Sequence, residues 1–214
     1  MRTYAATAIV AAMTAACASD HRQRAPLVQP GLPGEASHTV SAAASTDLSQ
    51  VQFTGDDVKF MQGMIAHHGQ AVAMVALIPS HTGNESLRMF GKRIELSQVD
   101  EMRMMRRWLE LRGQNIRGAH MMGPGGSMMP GMLTEDEMHA LAEANGSRFD
   151  QLFLEGMIKH HGGALSMVRD LFATPGAGQE VEIFSFASDV DGDQRMEIER
   201  MGAMLNGLPK ERHQ

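Results

Sequence analysis

Phe60 to Val75 reads FMQGMIAHHGQAVAMV, and Phe153 to Val168 reads FLEGMIKHHGGALSMV; ten of these sixteen positions are identical at a constant offset of 93. Asp57 and Asp150 extend the match upstream. A second correspondence follows each block. Gln98, Glu101, Met102, Met105, Trp108 and Leu109 align with Gln194, Glu197, Ile198, Met201, Met204 and Leu205 at an offset of 96. Two motifs repeated in the same order imply two copies of one supersecondary unit.

All four segments have helical spacing. At 100° per residue, Phe60, Met64, His68, Ala71, Val75 and Ile78 fall on one apolar arc. His67 and Met74 share its flank, and Gln62, Ala66, Gln70 and Ala73 occupy the outer face. The second block repeats this, with His161 central, His160 and Met167 flanking, and Lys159 outside. Thr54-x-x-Asp57 and Ser147-x-x-Asp150 read as capping boxes, and Asp57 and Asp150 as helix-start residues. Pro79 reads as the end of the first helix, and Asn84 as the cap of the second, which Gly113 would close. Thr134-x-x-Glu137 opens a short extra helix, and Pro175 to Gly178 separates the third from the fourth. The expected fold is all-α: an antiparallel four-helix bundle made of two duplicated helical hairpins.

The bundle would occupy residues 51–208, as repeat 1 (51–113), a linker (114–132) and repeat 2 (133–208). Gly and Pro forbid regular structure in the linker, which carries His120, Met121, Met122, Met128, Met129 and Met132 and cannot easily bury its thioethers.

The N-terminus differs in character. Residues 1–16 have a basic start at Arg2 and a short apolar run, then Thr14-Ala15-Ala16-Cys17. This resembles a bacterial lipoprotein signal, in which cleavage before Cys17 leaves a lipidated terminus on an exported protein. Removing it leaves 18 basic and 25 acidic side chains, a net charge of -7. Residues 17–50, rich in Ala, Ser, Pro and Gly, read as the lipidated Cys and a flexible tether that carries His21 and His38. Cys17 is the sole cysteine, which excludes internal disulfides, a thiolate zinc site and c-type haem attachment. No basic stripe or aromatic-interleaved Lys/Arg run points to nucleic acid.

The chemistry lies in the repeats. Glu101 and Gln98 share a face with Ile94, Met105 and Leu109, and Glu197 and Gln194 do the same in the second half. His67, His68, His160 and His161 should therefore converge with Glu101, Glu197 and the methionines Met64, Met157, Met74 and Met167 inside the bundle. A single inward His is ordinarily a hydrogen-bonded core residue, and a Met stripe ordinarily packing. Duplicated His pairs flanked by Met point to a metal ion. The chain has 20 methionines. Thioether and imidazole without thiolate suit Cu(I), with Cu(II) taken by the imidazoles and any carboxylate. Zinc would leave the methionines unexplained. Iron is disfavoured because the only Glu-x-x-His, Glu35 to His38, lies in the tether.

MIAHHGQA, FLEGMIKHHGGA, GMLTEDEM and GSRFDQLFLEGM resemble the bacterial family known as domain of unknown function 305, over roughly residues 50 to 208. The resemblance implies a ferritin-like, exported helical protein, and some members are associated with periplasmic copper binding and resistance. It maps the family's His pairs onto His67, His68, His160 and His161, and the accompanying Met onto Met64 and Met157. The usual HHQGA order is altered here: Gly69-Gln70 is transposed, and the second copy has Gly163 in place of that Gln.

The expected function is copper sequestration, resistance or transfer in a membrane-anchored protein facing the periplasm or cell exterior, with the Met-rich linker as a capture arm. Its partners would be the metal ion, the lipid membrane, an envelope copper-handling protein, or a second copy in a homodimer. Two rival readings stay open: a ferritin-like metal oxidoreductase such as a cuprous oxidase, and a metal-free envelope interaction module.

Overall fold

The computed structural model describes residues 27–29, 38–40, 52–116 and 128–209. The signal segment, Cys17, His21, His120, Met121 and Met122 lie outside the described residues. The chain divides into two units, Met1–Asp47 and Leu48–Gln214. In the first, β1 (Leu27–Gln29) pairs antiparallel with β2 (His38–Val40), with Leu27 opposite Val40. The segment read as a tether thus carries one local pairing.

The second unit is the expected bundle. Its long helices are α1 (Gly55–Val75), α3 (Glu85–Leu111), α5 (Gly146–Ala173) and α6 (Val181–Asn206). One-turn α2 (Ile78–His81) and short α4 (Glu135–Glu143) sit in the connections. α1 packs on α3 and α5 on α6, and the two hairpins meet along α1 and α5. Among the described residues no helix is long and apolar enough to cross a membrane.

Helix ends follow local chemistry, with two departures from the sequence reading. Thr54 and Asp57 form the full capping box of α1, Thr134 and Glu137 that of α4, and Asn84 caps α3. Ser147 caps nothing, because α5 starts earlier, from Asn145 and without a side-chain cap. Pro79 does not end α1, which stops at Val75; it lies in the first turn of α2, where a missing N–H is tolerated.

The two starting aspartates also tie the repeats together. Asp57 Oδ1 accepts the Gly178 N–H at 2.7 Å, from the connection of the other hairpin. Asp150 Oδ2 accepts from Asn84 Nδ2 at 2.8 Å, again in the opposite hairpin. The duplication is therefore a spatial pseudo-twofold. The α1–α5 contact runs antiparallel about it: Met167 Cε lies 3.4 Å from where a Cβ on Gly63 would stand, and Met74 Cε lies 3.2 Å from the same point on Gly156.

The apolar core forms two lobes. One gathers Phe60, Met64, Met105, Trp108, Val168 and Phe186; the other gathers Met74, Phe90, Ile94, Phe153, Met157 and Met201. Apart from the helix-start residues Asp57 and Asp150, the buried polar residues of every long helix fall between the two lobes: His67 and His68 on α1, Gln98 on α3, His160 and His161 on α5, Gln194 and Glu197 on α6. A polar layer therefore crosses the middle of the bundle.

Candidate metal centre

The four imidazoles are at most 1% exposed. Their positions follow from the helical arc that brings Phe60, Met64 and Ala71 inward. His68 donates from Nε2 to Glu101 Oε2 at 2.6 Å, and His161 from Nε2 to Glu197 Oε2 at 2.7 Å. Ser97 donates to the second Glu101 oxygen at 2.7 Å. His160 donates from Nε2 to the backbone carbonyl of His67 at 2.8 Å, and His67 from Nε2 to the carbonyl of Pro130 at 2.9 Å. The His67 and His160 rings lie 3.8 Å apart between centroids, tilted by 37°.

These partners are acceptors, so Nε2 carries the proton in each ring. The opposite nitrogen, Nδ1, has no hydrogen-bond partner among the described residues in any of the four. Burial holds His67 down to about 4, against the opposing hydrogen bond to Pro130 and with help from the neighbouring imidazoles. Burial, then the charge of His67, holds His160 well below the ordinary histidine range. Both rings are thus neutral near pH 7, each with an unshared lone pair on Nδ1. An orphaned buried polar atom costs about 1–3 kcal/mol, and this layer contains four such nitrogens. A ring fixed through one nitrogen by carboxylate or carbonyl, with the other free, is the usual posture of a metal-ligating histidine.

Burial pushes Glu101 up, but the hydrogen bond and charge of His68, with the Ser97 hydroxyl, outweigh it and hold the carboxyl below its usual value. Glu101 also lines a groove of about 460 Å³ between α3 and α6, together with Asp100, Met104, Asp189, Asp193 and Met196. Burial, then the charges of Glu101 and Glu197, pushes Asp193 up. The groove is the acidic, solvent-facing edge of the polar layer.

Met64 and Met157 are fully buried but do not meet: they lie in opposite lobes, one helical turn before their His pairs. Met167 packs against the lobe of Met64, and Met74 lies in the lobe of Met157. Each side of the histidine layer is therefore bordered by methionines from both repeats. Among the described residues, no three His, Cys, Asp or Glu side chains form a ready-made metal-holding group. A site on this layer requires thioether sulfur or movement of the side chains. The donor set of neutral imidazole and thioether fits a soft monovalent cation, which accepts few ligands.

The linker corrects two expectations. Met129 is buried, at 6% exposure, whereas Met128 is 46% exposed and Met132 half-buried. Gln70 is only half-exposed: its Nε2 donates to the Leu133 carbonyl at 2.9 Å, and its Oε1 accepts the Leu133 N–H at 2.7 Å. Helical spacing puts Gln70 on the outer face of the four bundle helices, and the linker is laid over that face of α1. Gly163 lies under the same segment. A Cβ there would run into the Pro130 carbonyl and Gly131. The linker thus docks on Gln70 and on Gly163, which are equivalent positions of the two repeats.

Residues 57–205 match the family model described as Domain of unknown function (DUF305). The chain belongs to this family. The DUF305 fragment from Deinococcus radiodurans is 29% identical with a TM-score of 0.64, over 73% of this chain and 99% of that one. The DUF305 protein from Streptomyces coelicolor is 29% identical with a TM-score of 0.62, over 74% and 96%. CopM in its Cu(II)-bound form is 25% identical with a TM-score of 0.58, over 70% and 95%. No curated protein matches the chain.

Proposed function

We propose that this DUF305 protein binds copper as cargo through the histidine layer and its bordering methionines, and holds it for sequestration, resistance or transfer. The carrying observation is the set of four buried imidazoles, each anchored through Nε2 and each with an Nδ1 that has no partner among the described residues. The similar protein CopM has been solved with Cu(II), with Cu(I) and with silver bound, which is in keeping with a soft-metal reading. His67, His68, His160 and His161 would be the principal ligands. Met64, Met74, Met157 and Met167 would supply sulfur, and Glu101 and Glu197 would orient the rings. The acidic groove beside Glu101 would concentrate cations at the edge of the layer. The sequence of the first 17 residues supports export and lipid anchoring, which would put this chemistry outside the cytoplasm, where an envelope copper-handling protein would be its exchange partner.

The test is Cu(I) and Ag(I) uptake by the mature chain, measured by competition with a chromophoric chelator. The His67/His68/His160/His161→Ala variant should lose it. The paired variants His67→Gln/His160→Gln and His68→Gln/His161→Gln keep a polar side chain in the layer, and each should bind less. X-ray absorption of the loaded wild type should give both nitrogen and sulfur neighbours. Uptake unchanged in all these variants, or a spectrum without sulfur, would overturn the proposed site. Oxygen consumption beyond one equivalent per bound Cu(I) would favour the oxidase reading instead.

A further inference from the structure

We propose that Met128–Leu133 is a strap latched across the paired imidazoles, with Gln70 as its latch and Met129 as the soft donor it brings to a cation bound there. The donor role rests on the copper reading; the strap and latch do not.

The strap is fixed at four of five successive residues. Met129 Sδ lies 3.7 Å from where a Cβ on Gly63 would stand, one helical turn before His67. The Pro130 carbonyl accepts the His67 Nε2–H at 2.9 Å. Gly131, at φ +74°, lies so close to the backbone of α5 at Lys159 and Gly163 that neither glycine has room for a Cβ. Leu133 is 4% exposed in the second lobe, and its N–H and C=O are both taken by the Gln70 amide. That two-way pairing satisfies both main-chain groups of one residue.

The pseudo-twofold shows that the docking is specific. Position 70 corresponds to position 163 at the repeat offset of 93. Where the strap crosses, one repeat has an amide that grips it and the other has no side chain in its way. The histidines divide likewise. His160 Nε2 donates to the carbonyl of its counterpart His67, whereas His67 donates to the strap. The strap thus completes the hydrogen bonding of one ring of the pair, rests on α5 on either side of the other's position, and brings a thioether to within one helical turn of the first. A cation approaching the His67–His160 pair from this side meets the strap first.

The test has two arms, on the metal-free and the loaded chain. In the metal-free wild type, peroxide oxidation followed by peptide mass spectrometry should find Met129 oxidised on the order of tenfold more slowly than exposed Met89. Gln70→Ala, which removes two ordinary hydrogen bonds, should abolish that protection and leave core Met64 protected, so that global unfolding is ruled out. Equal oxidation of Met129 and Met89 in the wild type, or no change in Gln70→Ala, would overturn the strap and latch.

In the loaded chain, release of Ag(I) to excess chelator should be slowest for wild type, faster for Gln70→Glu, which keeps only the acceptor, and fastest for Gln70→Ala. Met129→Leu should also release on the order of tenfold faster, and Met89→Leu at the wild-type rate. Release unchanged in Met129→Leu would overturn the donor role. No uptake of Ag(I) or Cu(I) by the wild type would overturn that role and the copper reading together, while the oxidation arm decides the strap by itself.

Discussion

His160 hydrogen-bonds from Nε2 to the main-chain carbonyl of His67, its counterpart in the other repeat, at 2.8 Å, and the two rings face each other at 3.8 Å. Two imidazoles at that separation, out of water, cannot both hold a charge. The pair is therefore a neutral element that protonation disrupts.

This has a consequence for the acid stability of the metal-free protein. His67 titrates at about 4 when folded against 6.5 when unfolded. The unfolded chain takes up its proton first as pH falls, so stability is complete above about pH 6.5 and declines toward pH 4. His67 alone accounts for on the order of 3 kcal/mol, at 1.36 kcal/mol per pKa unit, and His160 acts in the same direction. Urea midpoints measured at pH 7.5, 6 and 5 should fall in that order, and less steeply in His67→Gln. A midpoint independent of pH across this range would contradict the prediction.

The carboxylates behind the imidazoles should tune metal affinity without touching the ion. Glu197 is 5% exposed and accepts from His161 Nε2 at 2.7 Å. Glu197→Ala frees that ring to turn and should weaken Cu(I) binding by about 10–100-fold, read as a shifted chelator competition curve. Glu197→Gln keeps an acceptor oxygen and should fall between Ala and wild type. Wild-type affinity in Glu197→Ala would separate the carboxylate from the site.

Two adjacent glycines on α5 should respond oppositely to alanine. A Cβ on Gly162 meets nothing within 4 Å, so Gly162→Ala should stabilise by up to about 1 kcal/mol through helix propensity. A Cβ on Gly163 collides with the Pro130 carbonyl, which is backbone and cannot swing aside. Gly163→Ala should destabilise by about 1–3 kcal/mol, seen as a lower Tm. Equal Tm changes in the two variants would show that the linker does not rest on α5.

Asp57 is fully buried, completes the α1 capping box and accepts from Gly178 N–H at 2.7 Å. Asp57→Ala removes a cap and leaves a main-chain donor in the opposite hairpin without a partner. A loss of about 2–4 kcal/mol is expected, with Asp57→Asn retaining part of it. Calorimetry of the three proteins checks the order.

Much of this was legible in the sequence because helical spacing is a local property. Phe60, Met64, His68 and Ala71 recur on one arc, and their counterparts recur 93 residues later, which is enough to place two histidine pairs inside a bundle. The convergence of His68 and Glu101 on the bundle interior followed from two inward-facing stripes on helices joined as a hairpin. Three features were not legible, and each depends on contacts between distant segments. Gln70 looked solvated because its partner, Leu133, is 63 positions away in the linker. Met129 looked exposed because Gly and Pro around it forbid a helix, yet they do not prevent a segment from lying against one. Met64 and Met157 looked convergent, since motif equivalence does not reveal that an antiparallel crossing sends equivalent residues to opposite ends of the core.

Gln70 and Gly163 stand at equivalent places and have opposite demands placed on them by Pro130 to Leu133. When two copies of a unit are joined into one polypeptide, there is only one connector, and it can lie over the dyad in only one sense. Residues beneath it are then released from being alike and pressed to differ, while those away from it remain free to match. The unequal pair at 70 and 163 is in that sense the footprint of covalent fusion. Two separate hairpins assembling as partners, with no bridge to accommodate, would have no physical reason for those two residues to diverge.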